Sequence, residues 1–212
     1  MDWEMILSGV TAAAAIGGIY LTWKQINTSN KQALFDQRIK VMGYARNLFN
    51  IYGDNKADII NEYLNNKSPD FTVDFKFLLL TNAPELKDIS KVIDKPINSS
   101  EHTNFLIDLD NISRIGANIK LLFNCKEAGY VSEFAIQYQL VLRELYRYQN
   151  ILRKMEQLNK HSQKLLGDLQ KEVGEPDGKK RLKQSLNKLD SAYEIVKDHD
   201  CFAKLENETR LE

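Results

Sequence analysis

The chain has 212 residues, is 27% charged, and balances 29 Lys and Arg against 29 Asp and Glu, so its formal net charge is zero. That length fits one domain with an appendage, and the balance removes any general attraction to nucleic acid or to an acidic substrate. Two cysteines, Cys125 and Cys201, are too few for the framework of a small secreted domain, so both are expected to be reduced, in a cytosolic setting.

The chain opens with MILSGVTAAAAIGGIYLTW, Met5 to Trp23, which holds no charge. A helix of about 20 apolar residues crosses a bilayer core of about 30 Å. Trp3 and Trp23 are twenty positions apart, roughly 30 Å at about 1.5 Å per residue, so each indole can meet one interface, with Tyr20 near the second. A signal peptide would start with basic residues, whereas Asp2 and Glu4 lead here. An interfacial helix would carry a charged face. A buried core helix competes, because Gly, Ala and Thr make the segment only mildly hydrophobic. The expectation is one membrane span over 5–23.

No Lys or Arg stands in residues 1–4, and Lys24, Lys31, Arg38 and Lys40 follow the span. Basic flanks stay on the cytoplasmic side. The expected order is an extracytoplasmic 1–4, the span, a juxtamembrane linker or helix over 24–33, a cytoplasmic helical bundle over 34–200, and a flexible 201–212. Gly9, Ala13 and Gly17 recur every fourth position, and small residues let helix backbones approach closely in lipid. A homo-oligomer held by that stripe is expected.

Beyond the span the pattern is all-α. Leu34, Val41, Ala45, Leu48 and Tyr52 form one stripe, with Phe35, Met42 and Phe49 beside it, and Gly53 and Asp54 are expected to end that helix. ADIINEYLNN reads as a short amphipathic helix. Ser68 and Pro69 read as a helix start, though FTVDFKF, residues 71–77, alternates like a strand; helix is favoured for want of a partner strand. PELKDISKVID is another short helix and KPINSSEHTN a loop. Three longer seams follow at spacings of three and four: Phe105 to Phe123, Val131 to Met155, and Leu182 to Val196. Such seams belong to helices packed at small angles. GEPDG, 174–178, breaks the chain, so the last two helices should form an antiparallel hairpin.

Few residues suggest chemistry. Arg38 lies on an apolar stripe and needs a partner, with Asp108, Asp110 and Glu133 as candidates, as a structural ion pair or a functional arginine. His102, His161 and His199 lack a nucleophile at a recognisable spacing. His199, Asp200 and Cys201 offer too few ligands for a metal. GKKRLKQ, 178–184, lacks the glycine spacing of a phosphate loop. Arg143, Arg147, Arg153, Lys154, Lys160 and Lys164 make one helix partly basic, and Tyr146 and Tyr148 could stack on RNA bases, yet direct nucleic-acid binding is not expected at neutral net charge. No cofactor is expected.

Arg46, Asn47 and Tyr52, in RNLFNIY, loosely resemble the Arg-Asn-x-x-x-x-His signature of the HEPN ribonucleases, with Tyr52 where the family has histidine. A tyrosine with an ordinary pKa of about 10 is a poor general base at neutral pH, so the resemblance implies a degenerate bundle rather than a nuclease. Leu34, Phe35 and Arg38 resemble the Leu-Phe-x-x-Arg opening of the helical body in short bacterial proteins with an N-terminal span. In organisation the chain also resembles the small membrane accessory protein of type VI-B CRISPR systems, which implies a pore, cytoplasmic triggering, antiviral (phage) defence and depolarisation of the inner membrane. The function expected is therefore a non-enzymatic, membrane-anchored oligomeric effector. The competing readings are a membrane-tethered nuclease of HEPN type and a scaffold that recruits a cytosolic protein or ribonucleoprotein.

Overall fold

The computed structural model describes residues 3–66, 69, 71, 86, 101–161 and 165–209, apart from the side chains of 4–14, 101, 102, 104 and 161. Six α-helices and one π-helical turn are present among them, and no strand, in line with the spacing of three and four. Helix α1 runs unbroken from Trp3 to Asp58. Its 56 residues span about 84 Å at about 1.5 Å per residue. It passes directly into the π-helical turn Ile59–Leu64. Then come α2 (Glu101–Leu122), α3 (Lys126–His161), α4 (Leu166–Val173), α5 (Glu175–Asp198) and α6 (Cys201–Thr209).

Two of the seams behave as their spacing predicts, and that of α3 does so as far as Tyr148. Phe105, Leu109, Ile112 and Ile119 of α2 and Phe123 just after it are buried, as are Val131, Phe134, Tyr138, Val141, Leu145 and Tyr148 of α3 and Leu182, Leu186, Leu189, Tyr193 and Val196 of α5. Helix α3 is central and packs most extensively on α5 and α2. It runs antiparallel to both: Tyr148 reaches Glu175 while Phe134 faces Tyr193, and Phe105 faces Tyr146 while Gly116 lies against Ser132. The C-terminal half of α1 completes the bundle. Phe49 stacks on Tyr193 at 4.4 Å between ring centroids and meets Phe134 and Phe202 edge-on at 5.7 and 5.3 Å. One ring thus joins α1 to α3, α5 and α6, and aromatic pairs in these geometries add about 0.5–1.5 kcal/mol each beyond area burial.

The break expected over 174–178 lies at Gly174 alone, and the short helix α4 stands between the antiparallel α3 and α5. Gly174 has φ 73°, the left-handed conformation that ends α4, and Pro176 lies in the first turn of α5, where its missing N–H costs nothing. Glu175 is buried, yet its carboxylate accepts the Tyr148 hydroxyl at 2.7 Å and pairs with Lys179 at 3.1 Å.

Several expectations are corrected. Gly53 does not end its helix: a Cβ there would lie 2.7 Å from the Tyr193 hydroxyl oxygen, so the glycine serves a close approach inside a continuous helix. ADIINEYLNN is accordingly the end of α1 and the π-helical turn, not a separate helix. Residues 24–33, expected as linker or helix, continue α1. α2 begins at Glu101, inside the expected loop. Residues 201–209 are not a flexible tail but helix α6, which buries Cys201, Phe202 and Leu205. The strand-or-helix choice at 71–80 and the short helix at 84–94 lie, save Phe71 and Leu86, outside the described residues.

Gly116 marks a close approach of α2 to α3, since a Cβ there would stand 3.0 Å from the backbone oxygen of Ser132. Backbone cannot rotate away as a side-chain tip can. Gly116→Leu is therefore expected to destabilise the bundle by about 1–3 kcal/mol, read as a lower urea midpoint with an unchanged slope.

Candidate functional site

The N-terminal half of α1 stands clear of the bundle. Residues 15–34 are exposed, among them Ile16, Ile19, Tyr20, Leu21, Trp23 and Ile26, each more than half open. Gly17 and Gly18 have nothing of this chain within 4 Å of where a Cβ would be. Gly9 and Ala13 belong to residues whose side chains are not described. Among the described residues no helix is long and apolar enough to cross a membrane. The segment 5–23 lies within α1, and the side chains of 4–14 stand outside that description.

Arg38 marks the junction between this stalk and the bundle. None of its expected acidic partners holds it. Its Nε donates to the carbonyl of Leu122 and its Nη1 to the carbonyl of Glu208, both at 2.9 Å, and its guanidinium lies over the Phe123 ring at 5.4 Å. Leu122 ends α2 and Glu208 lies in the last turn of α6. The guanidinium therefore faces the negative ends of two helix dipoles and satisfies carbonyls that have no partner inside their own helices.

Arg46 and Tyr52 point to different neighbours, and Asn47 between them in sequence is half-buried. Arg46 pairs with Glu206 and lies over Phe202 at 5.1 Å, on the α6 side. The Tyr52 hydroxyl donates to Asp190 of α5 at 3.0 Å, and Lys56 bridges Asp190, at 2.6 Å, and Glu194. Burial, reinforced by Asp190, pushes the Tyr52 phenol far above its ordinary range, so it stays protonated. Burial works to lower the Lys56 ammonium, but hydrogen bonds from Asp190 and Glu194 outweigh it and raise its pKa. These groups form a clasp between α1 and α5, with no free base beside a nucleophile.

The thiols are no better placed. Both cysteines are free, and burial raises Cys125 and pushes Cys201 up to about 11. His199 has its Nδ1 against the Ile195 carbonyl at 3.0 Å and its ring 5.0 Å from that of Tyr130. Among the described residues no group of three His, Cys, Asp or Glu could hold a metal ion.

A groove of about 950 Å³ lies between α1 and α2, walled by Gln37, Ile39, Lys40 and Gly43 on one side and Asn111, Arg114, Asn118 and Leu121 on the other. Its lining holds two cations and no acid. Leu121 is 81% exposed at its rim. No family model, curated protein or solved structure matches this chain. The site must therefore be read from its own geometry. It offers apolar surface, amides and cations.

Sequence reasoning missed the groove and both partners of Arg38. Leu121 and Ile107 lie off the seam of α2, which was a usable sign of a second apolar surface. Asp190 and Glu194 flank Tyr193 at a helical spacing, which could have pointed to a cation opposite. Backbone carbonyls leave no such sign.

Loss of the Arg38 guanidinium strands two part-buried carbonyls, and hydrogen bonds to charged groups are worth about 1.5–3 kcal/mol each. Arg38→Ala should cost about 2–4 kcal/mol of unfolding free energy. Arg46→Ala removes a pair whose side chains are 38% and 45% exposed, so below about 1 kcal/mol is expected. Urea titration of the two variants checks the order; an equal cost would remove Arg38 from its place as the clamp.

Proposed function

We propose that the protein is a non-enzymatic, membrane-anchored effector that acts as a homo-oligomer, its first helix spanning a bacterial inner membrane with the N-terminus outside and the bundle in the cytoplasm. The observation that carries the reading is the bare apolar stalk of α1: Ile16, Ile19, Tyr20, Leu21, Trp23 and Ile26 have no cover from their own chain. Exposed apolar area costs about 25 cal/mol per Å² in water, so such a stretch requires lipid or protein around it. The uncharged run from Met5 to Trp23 has the length for lipid. Acids before the run and Lys24, Lys31, Arg38 and Lys40 after it support the orientation.

Self-association is supported by small residues that the chain itself does not use. Gly17 and Gly18 lie in a helix interior, where glycine costs about 1 kcal/mol against alanine, and nothing in the chain fills the space beside them. With Gly9 and Ala13 they offer a face on which spans can pack closely. The resemblance in organisation to the type VI-B accessory protein extends the reading to a pore in antiviral defence, and that extension rests on the resemblance. The nuclease reading is weakened by Arg46 and Tyr52, both engaged within the bundle.

The reading makes a joint demand. Membranes from expressing cells should retain the 24.5 kDa chain through an alkaline carbonate wash, and the detergent-solubilised protein should have a mass several times that of one chain. Gly17→Leu should keep membrane retention and lower that mass. Release of the wild type by alkali would sink the anchor, and a single-chain mass would sink the oligomer.

A further inference from the structure

We infer that the groove between α1 and α2 is the seat for α1 of a second copy of this chain, running parallel to the first; the inference rests on the membrane-anchored, oligomeric reading above and assigns the surface through which the cytoplasmic bodies join. A helix with its side chains is a cylinder about 10 Å across, so a space of about 950 Å³ holds about 12 Å of it, roughly two turns. The groove walls on α1 begin at Gln37, on the helix whose preceding 22 residues, 15–36, are exposed but for the half-buried Phe35. Surface that lacks cover on the stalk thus runs without a break into the groove.

Charge selects the same occupant. Lys40 and Arg114 line the groove, and no acid is among its lining residues. Asp36 is exposed on α1 one turn before Lys40, and neither Asp36 nor Lys40 has a partner among the described residues. Copies that share one membrane orientation hold their first helices parallel and at one height. Asp36 of one copy then stands within about one turn, some 6 Å along the axis, of Lys40 of the next. The apolar rim, Ile39 at 42% and Leu121 at 81% exposed, closes over that contact.

Gly43 supplies a third argument. Gly53, Gly116 and Gly178 each have an atom of this chain within 3.0 Å of a Cβ position, so each has a close neighbour inside the fold. Gly43 lies deep in α1, lines the groove, and has nothing within 4 Å. It opens room for a backbone that this chain does not provide. The contact joins a groove on one copy to a helix face on the next, so it is head-to-tail, the type that closes into rings.

The test uses full-length protein in detergent, with four variants read by mass, by membrane retention and by thermal unfolding. Asp36→Lys and Lys40→Asp should each weaken association at least tenfold and lower the mass of the complex, and the double exchange in one chain should restore it. Gly43→Leu should lower the mass while the unfolding temperature holds or rises, an effect that no role inside the monomer produces. Unchanged mass in all four, alongside a lower mass for Gly17→Leu, would overturn the groove and leave the span as the interface. A wild type released from membranes by alkali would refute the anchor instead, and the same exchanges on the soluble oligomer would then decide the groove by the same readings.

Discussion

Helix α3 needs cover on nearly every side, and the rest of the molecule is arranged to give it. Val131, Phe134, Tyr138, Val141, Leu145 and Tyr148 face inward, and Ala135, Leu142 and Tyr146 are buried as well. A helix that is apolar around so much of its circumference is stable only inside a layer of others. α2 and α5 approach it from either side, and each uses a glycine at a point of close approach. A Cβ at Gly116 would stand 3.0 Å from the Ser132 carbonyl oxygen, and one at Gly178 would stand 2.6 Å from Cδ1 of Ile151. Ser132 and Gln139 are the polar residues buried along this helix.

The bundle was legible wherever one helix face repeats for several turns. The seams of α2, α3 and α5 could be read because hydrophobic burial favours the same angular position every three or four residues. Leu152 and Met155 continue the α3 pattern yet are only half-buried; they lie beyond Tyr148, which already faces the first residue of α5. α6 escaped notice because Cys201, Phe202 and Leu205 make barely two turns of pattern. Gly53 misled because one residue type serves both as a helix stop and as a point of close contact, and only the position of Tyr193 separates the two.

The candidate site was less legible for a physical reason. Arg38 was visible as a cation on an apolar stripe, but its partners are backbone carbonyls of Leu122 and Glu208. Every residue has a carbonyl, so side-chain identity carries no information about which ones it will meet. Arg46 and Tyr52 were visible as a spacing, and their pairing with Glu206 and Asp190 depends on helices distant in sequence. A groove is a gap between two helices and has no residue type of its own.

The Arg38 clamp also sets an order of events. The guanidinium belongs to the first helix made, while one of its carbonyls lies 84 positions later and the other 170. At about 5–20 residues per second, the second partner is synthesised roughly 10–30 s after the arginine. Through that interval the stalk is complete, whereas α6 and the site it closes do not yet exist. Burial of Phe49 against Phe202 waits on the same late helix. The end of α1 nearest the stalk is therefore the first part of the bundle to be made and the last to be locked.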